Sequence, residues 1–198
     1  MFTKLVVGLG NPCLDGTPHN LGFMVVARML ENEASHFVAR SPERFSWSLW
    51  GMICDSLLLP EDSSYAHGPP QQSPLPVVAT LRPMTLMNLS GASVRRALSM
   101  YPSLLLPRDV LVVHDDTNLP LGQVKLHVPP LPKASSSHNG VKSVVASVGA
   151  EECSFLRVGC GRRKNVLQPF GREEKESVEI ALQRAVEVCM EWVLHAQS

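Results

Sequence analysis

The sequence predicts an α/β domain, on three observations. Its 198 residues suffice for one domain with a sizeable core. Residues 4–7 read as a short buried strand, broken by Gly8, Gly10 and Pro12, and Phe23, Met24, Ala27 and Leu30 then recur at helical spacing. Residues 109–116 hold the clearest strand, with an apolar run, Val110 to Val113, suited to a central parallel strand covered on both faces.

The remaining elements follow in order. Residues 45–53 alternate in part and read as one strand with a wet face, with Leu57, Leu58 and Leu59 extending its partner. Residues 60–76 are rich in proline and serine and read as an exposed excursion inside a hairpin-like connection. Residues 77–81 form the next strand. Thr85 is placed to cap a helix running to about Met100, with Leu86, Leu89, Val94, Ala97 and Leu98 as its buried stripe. Residues 123–128 alternate as a strand. Beyond a proline-rich loop, a helix turns Val141, Val144, Val145 and Val148 inward, and a strand covers residues 155–161. The last helix starts near Arg172, with Ile180, Ala181, Ala185, Val188 and Trp192 facing in.

Composition narrows the function classes. Eighteen basic residues balance eighteen acidic ones, so net charge does not advertise nucleic acid, although a local basic patch can suffice. Cys13, Cys54, Cys153, Cys160 and Cys189 are scattered and odd in number, with no C-x-x-C, which points to buried thiols in a reducing compartment. No apolar run is long enough to span a bilayer. The first strand begins almost at Met1, leaving no room for a targeting peptide, and a cytoplasmic protein is expected.

Chemistry-bearing residues gather at element ends. In open α/β sheets the ligand crevice lies outside the carboxyl ends of the strands, where Asn11 and His19 fall. Cys13 replaces the third glycine of G-x-G-x-x-G, so a dinucleotide reading fails. Asn11 reads either as a turn residue or as a crevice residue, and His19 either as a helix-entry cap or as a base. Met87 and Asn88 again follow a strand, as core and local polar satisfaction or as pocket residues. His114, Asp115 and Asp116 end the central strand, where unpaired charge is expensive. They read as a metal site or as an acid orienting a histidine elsewhere. Adjacent strand residues point to opposite faces, which favours the second. Arg162, Arg163 and Lys164 form the densest basic cluster, by default a solvated loop.

Taken together, Gly8-Leu9-Gly10-Asn11-Pro12, His19-Asn20-Leu21-Gly22, Met87-Asn88-Leu89-Ser90-Gly91, His114-Asp115-Asp116 and His138-Asn139-Gly140 resemble, in order and approximate spacing, the bacterial-type peptidyl-tRNA hydrolases. The resemblance covers nearly the whole chain. It implies a single domain with a twisted mixed sheet flanked by helices, and hydrolysis of the ester joining a peptide to the terminal ribose of tRNA, without a metal or other cofactor. It matches the catalytic histidine to His19 and its supporting acid to Asp115. It matches substrate-positioning residues to Asn11, Asn88 and Asn139, the ester pocket to Met87 beside Leu86, and basic groups toward tRNA phosphate to Lys125 and Arg157. It implies a monomer whose partner is peptidyl-tRNA.

The chain departs from the pattern in places. Pro18 stands where the family usually has Arg or Lys, Asp115-Asp116 where Asp-Glu is common, and Ser135-Ser136-Ser137 where glycines precede the His-Asn pair. Residues 60–76 point to a divergent eukaryotic member. The altered loops motivate an alternative, a non-catalytic RNA-binding or splicing-type protein on the same scaffold.

Overall fold

A computed structural model of the chain describes residues 2–31, 37–40, 45–48, 51–60, 77–100, 106–129, 137–149 and 152–195. Eight strands form one sheet: β1 (Phe2–Gly8), β2 (Phe37–Arg40), β3 (Phe45–Ser48), β4 (Gly51–Pro60), β5 (Val77–Arg82), β6 (Val110–Asp116), β7 (Val124–His127) and β8 (Ser154–Gly159). Among the described residues four α-helices accompany them: α1 (Leu21–Glu31), α2 (Ser90–Met100), α3 (Asn139–Val148) and α4 (Lys175–His195).

The strand order is β2-β4-β5-β1-β6-β8-β7, with β3 also paired to β4. The centre, β5-β1-β6-β8, is parallel, and the flanking pairs are antiparallel, so the sheet is mixed. Parallel strands need cover on both faces, and strand alternation divides the core accordingly. Val6, Leu111, Val113, Leu156 and Val158 meet α1 and α4 on one face. Leu5, Val7, Val110, Val112 and Phe155 meet α2 and α3 on the other. Val6, Val112 and Leu156 are fully buried, each worth roughly 2 kcal/mol in apolar transfer.

Two glycines let α1 start close to the sheet. A Cβ on Gly8 would collide with the carbonyl of Gly22, and one on Gly22 with the backbone of Leu9 and Val113. The N-terminus of α1, and His19 just before it, is thereby brought to the carboxyl ends of β1 and β6.

Several sequence expectations are corrected. Residues 45–53 are two strands rather than one, and residues 37–40 form a strand not foreseen. Thr85 caps nothing. Its hydroxyl lies 3.3 Å from that of Ser93, and a 3-10 turn, Met87–Leu89, precedes α2. That turn rolls Leu86 and Leu89 outward, to 64% and 50% exposed. In α1 the buried stripe is Leu21, Phe23, Val25, Val26 and Met29, leaving Met24, Ala27 and Leu30 at its margins. In α4 Ile180 is exposed, and Val178, Leu182 and Val186 face in with Ala181 and Ala185. Cys153, Cys160 and Cys189 are buried, but Cys13 is exposed. Of the excursion expected at residues 60–76, Pro60 instead ends β4, and residues 61–76 lie outside the described residues.

Candidate active site

Asp115 is the centre of the site. It sits near the carboxyl end of β6, 5% exposed. A buried carboxylate needs partners, and Oδ1 has two: Nδ1 of His19 at 2.9 Å and Nε2 of His138 at 2.8 Å. Burial alone raises the carboxyl pKa, but the hydrogen bonds from His138 and His19 outweigh it, and Asp115 is held well below the usual carboxylate range.

His19 lies in a 3-10 turn, Pro18–Asn20, and its backbone N–H donates to Val166 O at 3.0 Å. Its side chain caps no helix and instead reaches Asp115. Donation from Nδ1 to the carboxylate leaves Nε2 as the ring nitrogen able to take a proton.

His138 is the residue whose part the sequence reading missed. It is the N-cap of α3, and its Nδ1 accepts from the backbone N–H groups of Gly140 and Val141 at 3.1 and 3.3 Å. That fixes the proton on Nε2, aimed at Asp115. The available signal was a histidine immediately before a helix, in a polar run, where a capping side chain is expected. His114 stands beside it, with ring centroids 5.0 Å apart. Burial, with a further contribution from His138, lowers the His114 pKa to about 4, so this ring is neutral and donates from Nδ1 to the carbonyl of Asp115.

Asn11 is no local turn cap. Its Oδ1 accepts from the backbone N–H of Met87 at 2.9 Å, joining the loop after β1 to the one after β5. Its backbone exchanges hydrogen bonds with the Asn20 side chain at 2.7 and 2.9 Å. Oδ1 is engaged there, which leaves the side-chain N–H groups as the donors this amide has to offer. Met87 is buried, and a Cβ on Gly140 would lie 2.5 Å from its Sδ. The structure thus brings together His19, Asp115, Asn11 and Met87. Asn88 lies one turn of chain before α2 and Asn139 begins α3, and both are exposed, as is Leu86.

The two basic residues lie on the two strands beyond β6 in the sheet. Lys125 and Arg157 are cross-strand neighbours on β7 and β8. Lys125 is exposed, but Arg157 pairs with Asp116 and lies 3.1 Å from Nε2 of His127.

His19, Asp115 and His138 offer three potential metal-ligand atoms within 4.8 Å of one another. They fit a metal poorly. Nδ1 of His138 accepts two amide N–H groups, so its Nε2 carries the proton and has no lone pair to give. The 2.8 and 2.9 Å separations are those of hydrogen bonds, whereas ligands on a tetrahedral zinc with bonds of about 2.0–2.1 Å lie roughly 3.4 Å apart. A metal on His114, Asp115 and Asp116 fits no better, because Asp116 faces Arg157. Nor do the buried thiols offer a nucleophile: burial raises Cys153 and Cys160 to about 12 and pushes Cys189 up as well.

Comparison with known proteins adds a family. The sequence profile described as "Peptidyl-tRNA hydrolase" matches residues 5–198. The chain is similar to the peptidyl-tRNA hydrolase of Symbiobacterium thermophilum, at 34% identity over 94% of this chain and 90% of the relative. It is 33% identical to that of Aquifex aeolicus, over 96% of this chain and 90% of the relative. The crystal structure of peptidyl-tRNA hydrolase from Acinetobacter baumannii superposes with a TM-score of 0.64 at 23% identity, covering 98% of this chain and 94% of that one, a likeness of fold.

Proposed function

Because the chain belongs to the peptidyl-tRNA hydrolase family, we propose that it cleaves the ester between a peptide and the terminal ribose of tRNA with a water activated by His19. The observation that carries this reading is the 2.9 Å contact between His19 Nδ1 and Asp115 Oδ1. It presents a base nitrogen, oriented by a buried acid, at the carboxyl edge of the sheet.

The chemistry follows from that orientation. Nε2 of His19 takes a proton as the water oxygen bonds to the ester carbonyl carbon, an effect worth roughly 10²–10⁴ in rate. Asp115 holds the tautomer and stabilises the imidazolium. The side-chain N–H groups of Asn11 and Asn139 steady the developing oxyanion. The ester C–O bond then breaks, and the imidazolium returns its proton to the ribose oxygen. Leu86, Met87 and Asn88 line the approach of the acyl group and terminal nucleotide. Lys125 meets RNA phosphate, with Arg157 a weaker contributor because Asp116 already holds it.

The protein acts as a monomer in the cytoplasm, where translation produces peptidyl-tRNA. None of the helices among the described residues is long and apolar enough to cross a membrane. The test is release of peptide from an N-blocked aminoacyl-tRNA, wild type against His19→Ala. Absence of release by the wild type, with tRNA binding retained, would instead favour the non-catalytic RNA-binding reading.

A further inference from the structure

The chain is neutral overall, yet its charge is divided between the two faces of the sheet. On α4, Glu176, Glu179, Glu187 and Glu191 outnumber Lys175 and Arg184. On the opposite face, α2 and α3 carry Arg95, Arg96 and Lys142 and no acidic residue. Several other cations are neutralised internally: Lys4 by Asp109, Arg28 by Glu179, Arg157 by Asp116 and Arg163 by Glu174. Among the described residues, neither Arg95 nor Arg96 is in an ion pair, and both are exposed.

The two arginines share the outer surface of α2 with Ala92 and Ser99. The Ser99 hydroxyl already donates to the carbonyl of Arg96 at 2.7 Å. Anion binding on this surface therefore falls to the guanidinium groups, whose forked donors suit phosphate oxygens.

We propose that the α2–α3 face, centred on Arg95 and Arg96, is a contact surface for the phosphate backbone of the tRNA substrate. The inference rests on the hydrolase reading for its occupant and on continuity with the site for its placement. Arg95 follows Asn88 by seven residues, roughly 11 Å along a helix rising 1.5 Å per residue. At about 3.4 Å of axial rise per nucleotide in a stacked strand, that spans about three nucleotides beyond the ester. The surface is also rigid. Gly91 N donates to Ser143 Oγ at 3.0 Å, and a Cβ on Gly91 would strike the Ser143 carbonyl, so α2 and α3 touch backbone to backbone. Lys142 adjoins that contact. An RNA strand leaving the ester site would thus meet Lys142 and the two arginines on a fixed platform. An acidic protein partner is the competing occupant.

The test is the binding of uncharged full-length tRNA across a salt titration, which needs no catalysis. The double variant R95E/R96E should bind roughly tenfold to a hundredfold more weakly at about 0.1 M salt. Its log–log salt slope should be shallower by about 1.5, as expected for losing two phosphate contacts. Its unfolding temperature should match the wild type, because both side chains are exposed. The double variant K175E/R184E on α4, an equal change in charge on exposed side chains, should leave affinity within about twofold. Wild-type affinity and slope in R95E/R96E would overturn the inference and assign the surface to another partner. If the wild type binds tRNA through these arginines yet releases no peptide, the hydrolase reading fails and the surface stands.

Discussion

Oδ1 of Asp115 accepts the Nε2 proton of His138 at 2.8 Å, and the same oxygen holds Nδ1 of His19. His138 thus has two tasks, supporting the carboxylate and capping α3. They can be separated. His138→Ala removes both and should cost about 1 kcal/mol of stability through the lost cap, along with a fall in turnover. His138→Asn keeps a good capping residue but is too short to reach Asp115. It should recover stability without recovering turnover. Paired denaturation curves and peptide-release assays check this, and equal recovery of both would make His138 a cap alone.

His19→Ala should reduce kcat by roughly 10²–10⁴. Stability should change little, since the side chain contributes one hydrogen bond, at a loop–helix junction. Asp115→Asn retains an acceptor but mis-sets the tautomer, so its loss should be similar or milder. The pH–rate profile should also change. An unaltered profile in Asp115→Asn would reduce Asp115 to a structural residue.

Asn11→Asp separates the two ends of one side chain. The carboxylate can still accept from Met87 N, as Oδ1 of Asn11 does at 2.9 Å, but it has no N–H to offer an oxyanion. We expect a correctly folded protein whose kcat falls by about 10²-fold, in the range for removing an oxyanion donor. A fall in KM-dependent terms only, with kcat intact, would move Asn11 from the reacting carbonyl to substrate binding.

Acid should destabilise the fold earlier than carboxylate titration alone predicts. His114 has a folded pKa of about 4 against 6.5 when unfolded. Between those values the unfolded chain binds more protons than the folded one, so stability falls as pH drops from about 6.5 to about 4. The full loss is about 3 kcal/mol. Asp115, held low by its histidines, adds a further loss only below its ordinary 3.8. Chemical denaturation at pH 7 and pH 5 should show the first effect, and His114→Asn should flatten it.

Gly140→Ala probes how tightly the pocket is built. The new methyl would lie 2.5 Å from Met87 Sδ and 2.9 Å from Leu9 Cδ1. Met87 must move, at roughly 1–3 kcal/mol for overpacking. KM should rise more than kcat falls, since the methyl meets Met87 and Leu9 more closely than it meets His138, whose Cε1 is 3.1 Å away. Wild-type kinetics would show that Met87 does not shape the substrate pocket.

The parts of this molecule that could be read from the sequence are those set by local pattern. The run from Val110 to Val113 announced a central strand because burial on both faces leaves no polar position. Asp115 could be expected to orient a distant histidine because neighbouring strand residues face opposite ways. Leu86 and Leu89 were misread because helical spacing assumes an α-helix from the start, and a 3-10 turn shifts every preceding side chain around the axis. Ile180 was misread because α4 has apolar residues on more than one side, so spacing alone does not choose its inward stripe. His138 was missed as Asp115's partner because nothing local records which carboxylate a capping histidine will meet. The same holds for Arg157, whose engagement by Asp116 joins two strands at a residue separation of 41.

The hydrogen bond between His19 and Asp115 joins residues 96 positions apart, and the one between Asn11 and Met87 spans 76. Such long closures are slow to form, and parallel strand pairing is slower than local helix formation. During synthesis the N-terminal segments emerge first. A chain grown only as far as residue 137 would contain His19, Asn11 and Asp115 but neither His138 nor the strand β8 that pairs with β6 along Asp115. The growing chain is itself a peptide esterified to tRNA. On this topology it completes the apparatus for cutting such esters only after most of its length has left the ribosome.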